Sequence, residues 1–413
     1  MGAVALIATI AHAQPAPADP LAEPPVEPSE DVDVEAPTPS LFQVHGFISE
    51  GGFWSTDNEY IGASSRGSLE LFEVGVNLTT QLTDRLRAGV QLFGRNVGTF
   101  DDLPPNIDWA YLDYRWRDWL GLRAGVIKQP FGLYNEYVDV DAARLSILMP
   151  GVYPLRDRTV LLSQTGFSLY GTRALGGAGE IDYQAWAGTL NIPENALELT
   201  GATLAGIDVK YVAGGQLFWR PPIDGLRIGA TYLRTSLDVD VQLDADTIAL
   251  LIMLGLVPTD YDGHVLVSQR PDTVLVGSVE YAVCDWLFAA EYSRWFKHQQ
   301  TDLPSALPPF DEDKERFYAL ATRRFGKVEV GGYYAATHVD ANDRQGRNAM
   351  KFPIREFAFQ RDLAATVRYD VNEYWTWKLE GHFIDGVAEL TAAENPDPER
   401  YWGLFLFKTT VTF

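Results

Sequence analysis

The sequence predicts an all-β fold: a 16-stranded antiparallel transmembrane β-barrel with an inward-folded third external loop. Three observations carry it. From Leu41 onward the apolar residues recur with a period of two, short turns alternate with long polar connections, and the chain stops on an aromatic residue, Phe413.

The alternation is clearest in four segments. Phe72, Val74, Val76 and Leu78 alternate with Glu73, Gly75, Asn77 and Thr79, and Leu86 to Leu92 alternate with Arg85 to Gln91. Far down the chain, Leu363 to Tyr369 oppose Asp362 to Arg368, and Trp375, Trp377, Leu379 and Phe383 oppose Thr376, Lys378, Glu380 and His382. A period of two gives each strand one apolar face and one wet face.

Seven tight links fall near residues 82–84, 117–118, 176–179, 221–225, 284–285, 326–327 and 372–373. Between them run eight long ones, near 57–67, 99–106, 129–162, 191–207, 237–271, 298–312, 338–358 and 387–400. Outer-membrane barrels have this plan, with short turns on one side and long loops on the other. Trp116, Trp119, Trp219, Trp286, Trp375 and Trp377 stand close to the short turns. That is where an amphipathic indole sits at a membrane boundary. In the last strand Phe405, Phe407, Val411 and Phe413 share a face, like the carboxy-terminal sorting signal of bacterial outer-membrane proteins, which the outer-membrane assembly machinery reads. The first strand, with Phe42, Val44 and Ile48, is expected to pair with the last and remove the free edges.

Composition excludes several other classes. With 46% hydrophobic and 22% charged residues the chain has material for a folded core. A net charge of −23 argues against a nucleic-acid partner. A single cysteine, Cys284, excludes an internal disulfide framework and any multi-cysteine zinc site. No apolar run reaches the roughly 18–20 residues of a membrane-spanning helix. Residues 1–13 are largely apolar and close on Ala11-His12-Ala13, as a signal peptide does, although the usual basic start is missing. Residues 14–40 hold eight prolines, seven acids and no Lys or Arg, the composition of a disordered spacer. The barrel is expected over 41–413, in the outer membrane of a Gram-negative bacterium.

After Arg123 to Lys128 comes Gln129-Pro130-Phe131-Gly132. Gly125, Lys128, Pro130, Phe131 and Gly132 together resemble the motif of the porin O/P (phosphate-selective porin) family. The resemblance implies a homotrimeric general or anion-favouring channel with the third external loop folded inward. The family's selective members line their pores with many lysines, and this chain departs from them with eight.

The residues themselves point the same way. The 129–162 loop carries Glu136, Asp139, Asp141, Arg144, Arg156 and Arg158 beside the apolar stretch Leu145 to Pro150, which suits packing against a barrel wall. By the period-two rule Arg85, Arg87, Arg95, Arg115 and Arg123 point inward from strands three to five, a basic wall set against Asp139 and Asp141. Such a pair makes a transverse field across a pore. The other inward charges are mixed: Lys210, Arg227 and Lys378 against Glu280, Glu291 and Glu380. In the fifth loop Ile248 to Val257 form an apolar run, with Asp246-Thr247 expected to cap a short helix.

The function expected is passive diffusion of small hydrophilic solutes or ions across a lipid bilayer, with no cofactor, no metal and no catalysis. Alternatives are a barrel enzyme of the phospholipase or protease kind, or a structural or adhesive barrel. The six histidines have no zinc-ligand spacing, and neither a Gly-x-Ser-x-Gly elbow nor a P-loop is present.

Overall fold

The computed structural model describes residues 42–98, 106–153, 155, 162–192 and 201–413. The expected signal peptide and spacer, 1–13 and 14–40, lie outside the described residues. The first half of the barrel comprises β1 (Phe42–Ser55), β2 (Leu71–Gln81), β3 (Leu86–Val97), β4 (Asn106–Arg117), β5 (Leu120–Lys128), β6 (Ser163–Ala174), β7 (Glu180–Thr189) and β8 (Ala202–Arg220). The second half comprises β9 (Leu226–Leu243), β10 (His264–Val283), β11 (Trp286–Thr301), β12 (Phe310–Phe325), β13 (Val328–His338), β14 (Phe359–Asp370), β15 (Trp375–Gly386) and β16 (Tyr401–Thr412). All neighbours are antiparallel, and the sheet closes where β1 pairs with β16.

Closure runs to the last residue. Gly46 and Phe413 exchange backbone hydrogen bonds of 2.9 and 3.0 Å. The Phe413 ring fills the space a Gly46 side chain would take; a Cβ there would stand 2.5 Å from its Cζ.

Side-chain exposure follows the expected parity. Trp375, Trp377, Leu379 and Phe383 face outward on β15, while Lys378, Glu380 and His382 are buried within. The six turn-proximal tryptophans all face outward. No helix among the described residues is long and apolar enough to cross a membrane.

The 237–271 connection differs from expectation. β9 and β10 continue to Leu243 and from His264, so the connection shrinks to residues 244–263. Along β9 the polarity of the two faces swaps. Outward positions pass from Ile228 and Tyr232 to Arg234, Asp238 and Asp240, while inward positions pass from Arg227, Thr231 and Thr235 to Leu237, Val239, Val241 and Leu243, which pack with Val265. An acidic outer face looks like a loop only if every strand is assumed to face lipid throughout. The helix α1 (Ala245–Met253) is capped by Asp244, whose carboxylate accepts the Thr247 N–H at 2.7 Å. The expected cap, Asp246, lies instead in the first helical turn.

Two apolar clusters lie on the inward face. One joins Phe131, Leu133 and Tyr153 to Leu233, Val274, Ala289 and Tyr318; the other joins Ile147 and Leu148 to Ile384, Trp402, Leu404 and Leu406.

Candidate functional site

The segment after β5 is tied to the inward face of the barrel by a dense set of ion pairs and hydrogen bonds. Lys128, the last residue of β5, pairs with Asp108 at 2.9 Å and with Asp139. The chain then turns at Gly132, which has φ +58° and where a Cβ would stand 2.7 Å from a Glu291 oxygen. Only glycine meets both constraints comfortably. Gln216 donates to the Gly132 carbonyl at 2.8 Å, and Phe131 is buried. Gly125 also has positive φ (+134°), and Pro130 is buried at the segment's start.

Two wall carboxylates hold the segment by its backbone. Glu291 of β11 accepts the Leu133 N–H at 2.9 Å, together with the hydroxyls of Tyr153, Tyr318 and Ser278. Glu380 of β15 accepts the Ile147 and Leu148 N–H groups at 2.8 Å each, the Thr366 hydroxyl at 2.5 Å and a His382 ring nitrogen at 3.1 Å. Between these clamps Asp141 meets Lys378 at 3.0 Å, Lys408 at 3.2 Å and the Thr410 hydroxyl at 2.9 Å. Lys378 also donates to the Asp141 and Arg144 carbonyls. Lys408 pairs with Glu73 as well. Burial raises the Asp141 carboxyl, but Lys378, then Lys408 and Arg144, outweigh it and hold it well below the usual carboxylate range.

A second group of charges stands apart. Arg123 donates through Nε to Asp113 at 3.0 Å, with its guanidinium over the Tyr111 and Tyr170 rings at 5.2 and 4.4 Å. Arg227 is placed similarly but without the hydrogen bond: it forms an ion pair with Glu280, Nε lying 2.8 Å away, and the Phe218 ring is 5.2 Å from its guanidinium. Glu136, on the segment, is half-buried, and its nearest cations are Arg123, Lys128 and Arg227. Burial raises its carboxyl above the usual value despite them.

The structure therefore gathers Lys128, Asp139, Asp141 and Arg144 at one site. Arg95 joins them, buried around a small cavity that Glu73, Asp139, Arg144 and Lys408 also line. It does not gather the other arginines there. Arg85 lies in the β2–β3 turn and is exposed, and Arg115 pairs with Asp118 at 3.3 Å beside the β4–β5 turn. Arg87 is placed across from Asp113 by register. Asp139 pairs with Lys128 of β5, and Asp141 with Lys378 of β15 and Lys408 of β16. Arg156 and Arg158 lie outside the described residues. Sequence reasoning gave no role to Glu73 or Lys408, although the Phe405-Phe407-Val411 alternation already turns Lys408 inward.

No family model matches the chain, and no curated protein sequence matches it. Solved structures do. The outer membrane channel DcaP of Acinetobacter baumannii is 12% identical, with 90% of this chain and 97% of that one covered and a TM-score of 0.53. The fold is that of an outer-membrane porin barrel. Similar too are the anion-selective porin from Comamonas acidovorans (11% identity, 90% and 99% coverage, TM-score 0.52) and OprB of Pseudomonas putida (11%, 90% and 94%, 0.54). At this level of identity the likeness between these porins and the present barrel is one of fold.

Proposed function

We propose that this chain is a porin of the outer membrane, a water-filled channel through which small hydrophilic solutes or ions diffuse passively. The observation that supports it most is the uneven use of cations around the 129–162 segment. Lys128, Lys378 and Lys408 are buried in ion pairs beneath it, whereas Arg123 and Arg227 are only half-buried and both act electrostatically on Glu136. The segment is the third external loop, folded inward as a constriction. The open path runs along the wall from β3 to β9, where Arg123 and Arg227 act on Glu136 and, with Arg87 on the same wall, favour anions. Arg85 and Arg115 stand at the turn-side mouth. The Gln129-to-Gly132 motif supports a likeness to the porin O/P family within the fold, and the terminal Phe413 supports recognition by the outer-membrane assembly machinery.

A homotrimer is supported by Glu50. It faces outward on β1, two outward positions from Trp54 and four from Phe42, with no hydrogen bond or ion pair among the described residues. A carboxylate halfway up a lipid-facing wall is unfavourable unless a neighbouring protein covers it. Glu50→Lys should dissociate the oligomer in mild detergent, and an intact oligomer would remove this support.

The channel itself is tested by recording purified protein in planar bilayers. Discrete conductance steps are expected, and silence across several salts would end the reading.

A further inference from the structure

The outward wall of β8 to β11 carries a notch, and cross-strand register lays out its rows. One row runs Leu217, Ala230, Gly277, Tyr292; the next toward the long loops runs Gly215, Tyr232, Leu275, Arg294; the third runs Ala213, Arg234, Thr273, Phe296. Gly215, Ala230 and Gly277 form the floor, and Leu217, Tyr232, Leu275 and Tyr292 the rim, of a concavity of about 640 Å³. That is within the range of small-ligand sites.

Backbone geometry does not explain the floor. Gly277 has no positive φ, and a Cβ built on it would meet nothing within 4 Å. A glycine inside a strand weakens it and leaves no side chain to pack. Here its effect is to keep the notch open. Toward the long loops the outward face carries two arginines, Arg294 and Arg234, before the aspartates Asp238 and Asp240 begin. Arg294 is spent on Asp313, which its Nε meets at 2.6 Å. Arg234, on the same outward face, is exposed and has no hydrogen bond or ion pair among the described residues. It is also where the outward face of β9 leaves its apolar stretch. An apolar slot with an uncommitted guanidinium in the row just beyond its lining, at the edge of an apolar band, complements one kind of molecule.

We infer that this notch binds an anionic, phosphorylated amphiphile of the membrane leaflet on the long-loop side. Its acyl chain lies over Gly277 and Ala230, and its phosphate sits on Arg234, whose planar fork of donors matches phosphate oxygens. The inference rests on the membrane-barrel reading but not on conduction.

The test is native mass spectrometry of the delipidated full chain in a neutral detergent, titrated with dipalmitoyl phosphatidic acid, dipalmitoyl phosphatidylcholine or inorganic phosphate. The wild type should bind one phosphatidic acid per protomer, about fivefold more tightly than phosphatidylcholine, the factor one interfacial arginine supplies. Inorganic phosphate should not displace it. Arg234→Gln should remove the fivefold preference, and Gly277→Leu should lose the lipid while still folding, since its side chain enters open space. Gly381→Leu, on the far β15 wall, should bind as the wild type does. Equal binding by wild type and Gly277→Leu, no headgroup preference in the wild type, displacement by inorganic phosphate, or equal loss in Gly381→Leu would each overturn the inference. A protein that conducts normally yet binds nothing fails this inference alone, and one that binds but stays silent in bilayers fails the channel reading alone.

Discussion

On the proposed reading of the segment after β5 as a constriction loop, Asp141→Asn should release it without unfolding the barrel. The carboxylate faces Lys378 and Lys408, whose side chains are 0% and 1% exposed. Removing one partner of such a buried pair costs roughly 3–5 kcal/mol, because the charge left behind has neither water nor counter-ion. Lys408 keeps Glu73, and Lys378 keeps two backbone carbonyls, so the lower end applies. About 3 kcal/mol moves the docked-to-released ratio by roughly a hundredfold. The sixteen-strand ladder makes no use of Asp141, so the loss falls on the loop. Release would let water and anions reach Lys378 and Lys408. Single-channel recording should show a larger, noisier conductance and a reversal potential shifted toward anions, and the loop should become sensitive to protease. Asp340→Asn, which removes the Lys351 partner on a different loop, is the control. The pH dependence has a definite sign. A carboxyl held below its unfolded value stabilises above that value and loses the contribution as pH falls through its own lower one. The wild-type loop should therefore stay docked from neutral pH down to about 4. Unchanged conductance, selectivity and protease resistance in a folded Asp141→Asn protein would refute the clamp.

Three further outcomes are expected. Neutralising Arg123 and Arg227 together should move reversal potentials severalfold toward cations, since each charge contributes on the order of 1 kcal/mol in a water-filled site; an equal shift from Arg347→Gln would assign selectivity to surface charge instead. Glu136, raised by burial, should lose its charge as pH falls while still above the ordinary glutamate range, so anion preference should climb there, and the step should vanish in Glu136→Gln. Gly46→Val should lower the urea midpoint by an amount equivalent to about 1–3 kcal/mol, as overpacking does, because its Cβ meets both the Phe413 ring and, at 2.8 Å, the Gly75 carbonyl; an unchanged midpoint would mean closure tolerates the clash.

Strand number, parity and closure were legible because each follows from a local period. Phe72 to Leu78, Leu363 to Tyr369 and Trp375 to Phe383 keep their apolar side outward throughout, and the terminal strand pairs with β1 as its alternation requires. The β9–β10 extension was not legible, because past Arg234 the outer face carries Asp238 and Asp240 while the inner one turns from Arg227, Thr231 and Thr235 to an apolar run. The period survives, but the side it marks is reversed. Asp246 failed as a cap for a smaller reason: two aspartates lie within three residues, and only the backbone decides which one precedes the first turn.

The site's electrostatics could not be counted from composition. Eight lysines in 413 residues look too few to matter, and the arginines of β3 to β5 look like the natural partners of the loop acids. Three of the eight, Lys128, Lys378 and Lys408, nevertheless occupy the acids Asp108, Asp139, Asp141 and Glu73. A lysine ammonium is a compact point charge that fits beneath a packed loop, and its three donors can serve a carboxylate and two carbonyls together. Arginine's flat fork suits a wall where a ring supports one face and a carboxylate pairs with the charge, as at Arg123 and Arg227. The two cation types are therefore divided by task. Lysines fasten the loop and are cancelled by it, so the loop's own acids add little to the field of the open path. On the proposed channel reading, that leaves arginine, set against Glu136, to give the path its charge.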